Sequence, residues 1–354
     1  MNTIRSKVLL LLWNVVFLLL LLLGVEWGLR KLDFRPFVAA QEQIPLQVYP
    51  SGPYYETDSI LGYRHCSGQR QLHLSPDFSF VTSHNGQGQR ICPDHLPTTK
   101  KSAPDIWLMG CSFTHGWAVN DEQTFTCLLQ AEFPGLNIVN WGTNGYGTLH
   151  LYLQIQEALK TNLQKPALIV LHHADFHFGR NIWSYHMRRL LSRWNHIGAF
   201  RQPYVDLAST DSLRIQYADD YYQAWSWSRY SALMYQIQIR YELYLDHSNK
   251  EKAKVITRLI LDELKTLCEA HEIPLLLTNM AYAPDFLQSY CRSRNLPFLD
   301  ISVDTEKAQF NNQPHDGHPN ALAHQLYATR LAQYFKHYLP KWCPSEWLLL
   351  SSQR

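Results

Sequence analysis

Hydrophobic residues are most concentrated at the start of the chain. Residues 8–25 are nearly all Leu, Val and Phe, interrupted only by Trp13, Asn14 and Gly24. That is about the ~20 residues needed to cross a hydrocarbon layer as a helix. A cleavable leader has a shorter apolar core and a small-x-small cleavage site, whereas Glu26-Trp27-Gly28-Leu29-Arg30 follows here. The pattern predicts an uncleaved single-pass anchor over residues 1–30, with residues 8–25 in the membrane. Arg5 and Lys7 before the span are matched by Arg30, Lys31 and Arg35 after it, so positive charge does not choose the orientation. A short N-terminus with the body outside the cytoplasm, in a periplasmic or other extracytoplasmic space, is the simpler topology.

Beyond the anchor, residues 31–104 are rich in Pro, Gly, Ser and Gln with only short apolar stretches, and they read as a linker with a small β-rich element. Brief apolar runs then recur at 105–109, 137–140, 167–172, 274–279 and 297–301, separated by segments long enough for crossover helices. That rhythm predicts an α/β domain over 105–340 built on a parallel, doubly wound sheet. One crossover helix is signalled by Ser248 and Glu251 as a capping box and by Val255, Ile256, Leu259, Ile260, Leu264 and Leu267 at helical spacing. The last helix starts after Asn320, a capping residue, with Leu322, Leu326, Leu331 and Phe335 as its buried side, and Pro340 ends it. Residues 341–354 form a tail.

An insertion over 179–246 is too long for a plain crossover. It is crowded with Trp183, Tyr185, Trp194, Tyr221, Tyr222, Trp225, Trp227 and Tyr230. Two readings are open. It is a lid or substrate-binding subdomain, where aromatic faces meet sugars or acyl chains and Arg188, Arg189 and Arg193 hold anions, or it is an extra packed helical layer.

Composition narrows the function classes. A 46% apolar chain of 354 residues builds a substantial core. A formal charge of +2, from 32 basic and 30 acidic residues, provides no field to recruit a phosphate backbone, so no nucleic-acid partner is expected. Seven scattered cysteines, Cys66, Cys92, Cys111, Cys127, Cys268, Cys291 and Cys343, show no C-x-x-C or zinc spacing. In an oxidising compartment some would pair and an odd thiol would remain; the sequence does not choose the pairs.

Active sites of open α/β sheets gather at the carboxyl ends of strands, and Ser112 stands just past the end of the 105–109 run. A serine hydroxyl needs a base to take its proton. In Pro314-His315-Asp316-Gly317-His318-Pro319-Asn320, a carboxylate two residues before a histidine can orient the imidazole and stabilise its cation. His318 is therefore the expected base and Asp316 its acid partner, on a turn loosened by Gly317.

Gly110-Cys111-Ser112-Phe113-Thr114-His115-Gly116, extended by residues 119–125, resembles the first block of the SGNH/GDSL hydrolases in a variant with cysteine in place of the block's aspartate. Asn140-Trp141-Gly142-Thr143-Asn144-Gly145-Tyr146-Gly147 resembles the second block, and residues 316–320 the fifth. Residues 58–63 and 85–90 are similar to the lead-in of membrane-tethered bacterial members. The resemblance implies a three-layer α/β/α fold in flavodoxin-like strand order and a site in which Ser112 attacks, His318 shuttles the proton and Asp316 orients it. The amides of Ser112 and Gly145 would then hold the oxyanion.

Two departures stand out. The family usually places three steps between acid and base, whereas Asp316 and His318 are two apart, and the Gly-x-Asn-Asp run of the third block is replaced by His172-His173-Ala174-Asp175-Phe176-His177. Asp175 and His177 fall nearest to the missing donor's position. The same histidines have metal-ligand chemistry, but adjacent residues of a strand point to opposite faces, so no metal and no cofactor is expected. Cys111 packs inward. The expectation is an esterase or acylhydrolase acting on an ester, such as O-acyl groups of an envelope glycan or a lipid, through an acyl-serine. An O-acyltransferase, or a silent glycan-binding or assembly protein on the same fold, stands as the alternative.

Overall fold

The computed structural model describes residues 2–38, 47–93, 103–161, 165–192, 201–208, 211–218, 222–281 and 285–341. Arg193, Trp194, Tyr221, Cys343 and all of the expected tail after Lys341 lie outside them.

The five apolar runs form one parallel sheet. Strands β1 (Asp105–Met109), β2 (Asn137–Asn140), β3 (Leu168–His173), β4 (Leu275–Asn279) and β5 (Phe298–Asp300) lie in the order β5-β4-β3-β1-β2. This is the flavodoxin-like order, with its switch point between β1 and β3. Strand alternation makes the layers. Ile106, Leu108, Leu168, Val170 and Leu276 face one way, onto helices Phe125–Glu132 and Ala321–Tyr338 through Phe125, Leu129, Tyr327, Leu331 and Phe335. Trp107, Met109, Ile169, Leu171 and Leu277 face the other, onto helices Thr148–Lys160, Lys250–Ala270 and Asp285–Arg294. The expected three-layer α/β/α arrangement is present.

Several local expectations change. Ser248 ends helix Ala232–Ser248 rather than capping the next one, and Asn249 occupies that N-cap with no side-chain bond. Ile256, Ile260 and Leu264 are buried as the stripe requires, while Val255 is exposed. In the last helix Asn320 caps through Ala323 N–H at 3.1 Å, but Leu322 faces out and His324 and Tyr327 fill the core side.

The stretch expected to be a linker with a small β-rich element is β-rich and packed over residues 47–93, more extensively than expected. Strands Gln47–Tyr49, Gly68–Ser75 and Phe78–His84 form an antiparallel sheet, and Tyr55–Asp58 pairs with Gly62–His65. Arg90 bridges this sheet to Asn140 on edge strand β2. Tyr54, Tyr55, Tyr63 and Leu72 belong to the same buried cluster as Trp107. A disulfide joins Cys92 to Cys127 of helix Phe125–Glu132.

At the other end, helix Asn2–Lys31 is continuous, and its Ser6–Lys31 portion is long and apolar enough to cross a membrane. The described part of the insertion is helix Tyr185–Ser192, the antiparallel pair Gln202–Val205 and Ile215–Ala218, and helix Ala232–Ser248. Arg189 pairs with buried Glu242 at 3.5 Å, and Arg188 lies over Trp183 and Tyr185.

Candidate active site

Strand β1 ends at Met109, and Cys111 begins a single helical turn, Ser112–His115, closed by Gly116 in the left-handed conformation. Gly142 lets the β2 loop lie against that turn, because a Cβ there would collide with the backbone of Thr114 and His115. Asn140 fixes the approach from the side, donating to Thr114 O at 3.0 Å and accepting from Gly142 N–H at 2.9 Å. Ser112 is thus buried but for a small opening, at the carboxyl edge of the sheet.

The acid and base arrive from a hairpin, Asn311–Asn312 with Asp316–Pro319. Because residues 316–319 are extended rather than helical, Asp316 and His318 point to the same side, and this makes a two-residue spacing work. Gly317 lies inside the strand, not in the loose turn expected from sequence. Asp316 Oδ1 lies 2.6 Å from His318 Nδ1 and accepts from His318 N–H at 2.7 Å. His318 Nε2 lies 2.9 Å from Ser112 Oγ. With the imidazole proton placed on Nδ1 toward the carboxylate, the Nε2 lone pair faces the hydroxyl. Burial works to raise the Asp316 carboxyl, but hydrogen bonds from the His318 ring and backbone, and from Trp117, hold it below its ordinary value.

Three further features escaped sequence reasoning. Trp117 donates its indole N–H to Asp316 Oδ2 at 3.4 Å, and an indole five residues after Ser112 gives no local sign of that role. Phe113 packs on the His318 ring and on Phe176, so the loop after β3 reaches the site through Phe176. His315 stacks on Phe78 and lies 3.1 Å from Ser75 Oγ, so the N-terminal sheet braces the acid-base hairpin.

For the oxyanion, Gly145 adopts φ 80°, a left-handed turn that glycine allows. Tyr63 OH donates to Asn144 O at 2.6 Å and Asn144 donates to Tyr55 OH at 2.8 Å, fixing that loop. Among the described residues, neither the Ser112 nor the Gly145 backbone N–H is spent on a protein acceptor. The other two candidate donors lie just past the end of β3, His177 at the start of helix His177–Asn181. Asp175 has its carboxyl raised by burial, and His177 is fully buried with both ring nitrogens unpartnered and its basicity strongly depressed by desolvation. Neither makes a hydrogen bond to Ser112, His318 or Asp316. Asn181 is no substitute, since it is committed to Leu149 N–H and Thr257.

A metal-like grouping lies behind the nucleophile turn, where His65, His84 and His115 bring nitrogens within 4.8 Å of one another. Their rings are stacked and nearly parallel, 10° to 24° apart, so the lone pairs do not converge on one point. His84 Nε2 and His115 Nε2 lie 2.9 Å apart and share a proton as a hydrogen bond. This is a packed imidazole stack rather than a ligand set. His172 and His173 face opposite sides of β3, against Phe125 and His177 respectively.

Arg90 holds the nucleophile turn from below. Its guanidinium pairs with Asp121 at 2.8 Å and donates to the carbonyls of His115, Gly116, Val119 and Val81, with both charges almost fully buried. Removing one partner of such a pair strands the other charge in the interior. Arg90→Ala is expected to cost about 3–5 kcal/mol in urea unfolding. Arg90→Lys should not restore it, because an ammonium cannot serve this forked set of acceptors.

No protein-family model matches the chain, and no curated protein matches it in sequence. Among solved structures, a putative lipolytic protein of the G-D-S-L family from Desulfitobacterium hafniense is 12% identical, with 65% of this chain and 98% of that one covered and a TM-score of 0.37. A lipolytic G-D-S-L family member from Veillonella parvula is 12% identical over 66% and 100%, with a TM-score of 0.38. The psychrotrophic esterase EstA from Pseudoalteromonas sp. is 10% identical over 67% and 98%, with a TM-score of 0.39. At such identities and scores nothing about this chain's chemistry follows from them; that rests on its own side chains.

Proposed function

We propose that this chain is a membrane-anchored SGNH-type serine esterase or acylhydrolase whose body lies outside the cytoplasm. The observation that carries the reading is the continuous Ser112–His318–Asp316 hydrogen-bond chain, 2.9 Å and 2.6 Å long, at the carboxyl edge of the sheet. Ser112 Oγ attacks the ester carbonyl carbon while His318 Nε2 takes the hydroxyl proton. The carbonyl electron pair moves onto oxygen, where the amides of Ser112 and Gly145 receive it. The intermediate collapses, the alcohol leaves with the proton from His318, and water activated by the same imidazole cleaves the acyl-serine. Asp316, ionised throughout, keeps the ring in register and stabilises its cation. The anchor and the aromatic insertion favour a substrate at the envelope surface, an O-acylated glycan or lipid.

The test is covalent. A fluorophosphonate probe should add one phosphonyl group to the native protein, and peptide mass spectrometry should place it on Ser112. No adduct, or an adduct on another serine, would sink the assignment.

A further inference from the structure

Helix Ala232–Ser248 buries two polar side chains beside Ala232 and Tyr235 and turns an apolar stripe outward. Its inward side includes Gln238 and Glu242, both almost fully buried, whereas Ile237, Tyr241 and Tyr244 point outward at 46%, 50% and 67% exposure. A helix on the surface of a soluble domain has the opposite arrangement. The orientation is set from within: Gln238 donates to Glu242 at 2.8 Å and accepts from Trp225 N–H at 3.0 Å, while Tyr222 OH donates to Glu242 at 3.1 Å. A rotation that hid the apolar stripe would break these bonds.

The same face continues onto the preceding turn, where Trp227 and Tyr230 are 71% and 73% exposed, and Trp225 contacts the Tyr241 ring. This turn is fastened to the end of the apolar N-terminal helix. Glu26 accepts from Ser231 Oγ–H and from the N–H groups of Ala232 and Leu233 at 2.8–3.0 Å, and Arg30 donates to Tyr230 O at 2.7 Å. Trp27, between them, is also exposed.

We propose that this face of the insertion rests in the headgroup layer of the membrane that the N-terminal helix crosses, an inference that depends on the anchor reading above. Residues 26–30 end the span and therefore sit at headgroup depth, and the capping bonds hold the insertion's aromatic face beside that level. Tyr and Trp suit that layer, since each has an apolar ring and a polar tip. Arg240, exposed beside the stripe, meets lipid phosphates. The body is then held at a fixed height and tilt by two elements instead of hanging from one helix.

The full chain, reconstituted in phosphatidylethanolamine/phosphatidylglycerol vesicles, would carry a nitroxide at Tyr241→Cys or Tyr244→Cys, with exposed Glu269→Cys as control and the unsubstituted protein as the labelling blank. We expect collision with oxygen to rise and collision with a water-soluble nickel chelate to fall at 241 and 244 relative to 269, with depths within about 10 Å of the phosphate plane. Labels at 241 and 244 as open to nickel as the control would place the face in water and overturn the proposal. Labels closed to both reagents would mean that protein covers it, and would overturn it equally. Intact mass separates the two layers of argument: loss of the N-terminal helix by cleavage removes the anchor itself, whereas a retained helix with water-open labels refutes only this surface.

Discussion

His318→Ala should lower kcat/KM for an activated ester by on the order of 10⁶-fold, the size expected where nucleophile and base act as one unit. Ser112→Ala should fall to the same floor, and the double variant should fall no further, because either loss alone abolishes the proton-coupled attack across the 2.9 Å contact. Asp316→Asn should be milder, about 10⁴-fold, since the serine and imidazole remain but the ring loses the acceptor that sets its tautomer. Circular dichroism and thermal melting should be nearly unchanged for His318→Ala, whose side chain is partly exposed on a surface hairpin. Turnover by His318→Ala within tenfold of wild type, about 1.4 kcal/mol of barrier, would reject the imidazole as base.

Acid should unfold this protein abruptly, with a midpoint between about pH 6 and pH 4. Burial pushes His65, His150, His172, His173 and His324 down to about 3, and His84, His115 and His177 well below their ordinary value. The folded state therefore keeps these imidazoles neutral, while an unfolded chain protonates them below about pH 6.5. The unfolded state binds the extra protons, so stability falls as pH drops from there toward 3. Each fully engaged group contributes about 1.4 kcal/mol per pH unit, and several together exhaust the ~5–15 kcal/mol typical of a domain within one or two units. Asp316 adds to the loss only at lower pH, because its own carboxyl is depressed. Tryptophan fluorescence and far-ultraviolet circular dichroism across pH 7.5 to 3.5 read the transition. A protein fully folded at pH 3.5 would mean that these imidazoles carry their protons within the fold.

Much of this protein was legible in its sequence because the relevant physics is local. A nearly continuous apolar run of membrane length favours a helix, and helix Asn2–Lys31 contains it. Five short apolar runs at crossover spacing became the five parallel strands, with ends shifted by a residue or so, since each run carries enough side chains to cover both faces of the sheet. Ser112 and the Asp316/His318 pair were visible as a residue beyond a strand end and as a carboxylate beside an imidazole.

What depended on partners distant in the chain was not legible. That Asp316 and His318 face the same way follows from the extended hairpin around them, which exists only because Asn311 and Asn312 pair with it. Residues 47–93 looked like a linker with only a small β-rich element because their polar groups are satisfied remotely: Arg90 by carbonyls 25 to 29 positions on, and Tyr63 by Asn144. Asp175 and His177 had suitable chemistry and proximity in sequence, but the described contact from the turn after β3 to the nucleophile turn is made by Phe176, on Phe113. Helix Ala232–Ser248 showed aromatic content without showing its outward direction, because buried bonds among Gln238, Glu242 and Tyr222 choose the face. Local patterning thus specified which elements form and which residues carry reactive groups. Their meeting, and the side each element turns to solvent, was decided by long-range hydrogen bonds whose free energy no contiguous stretch of the chain contains.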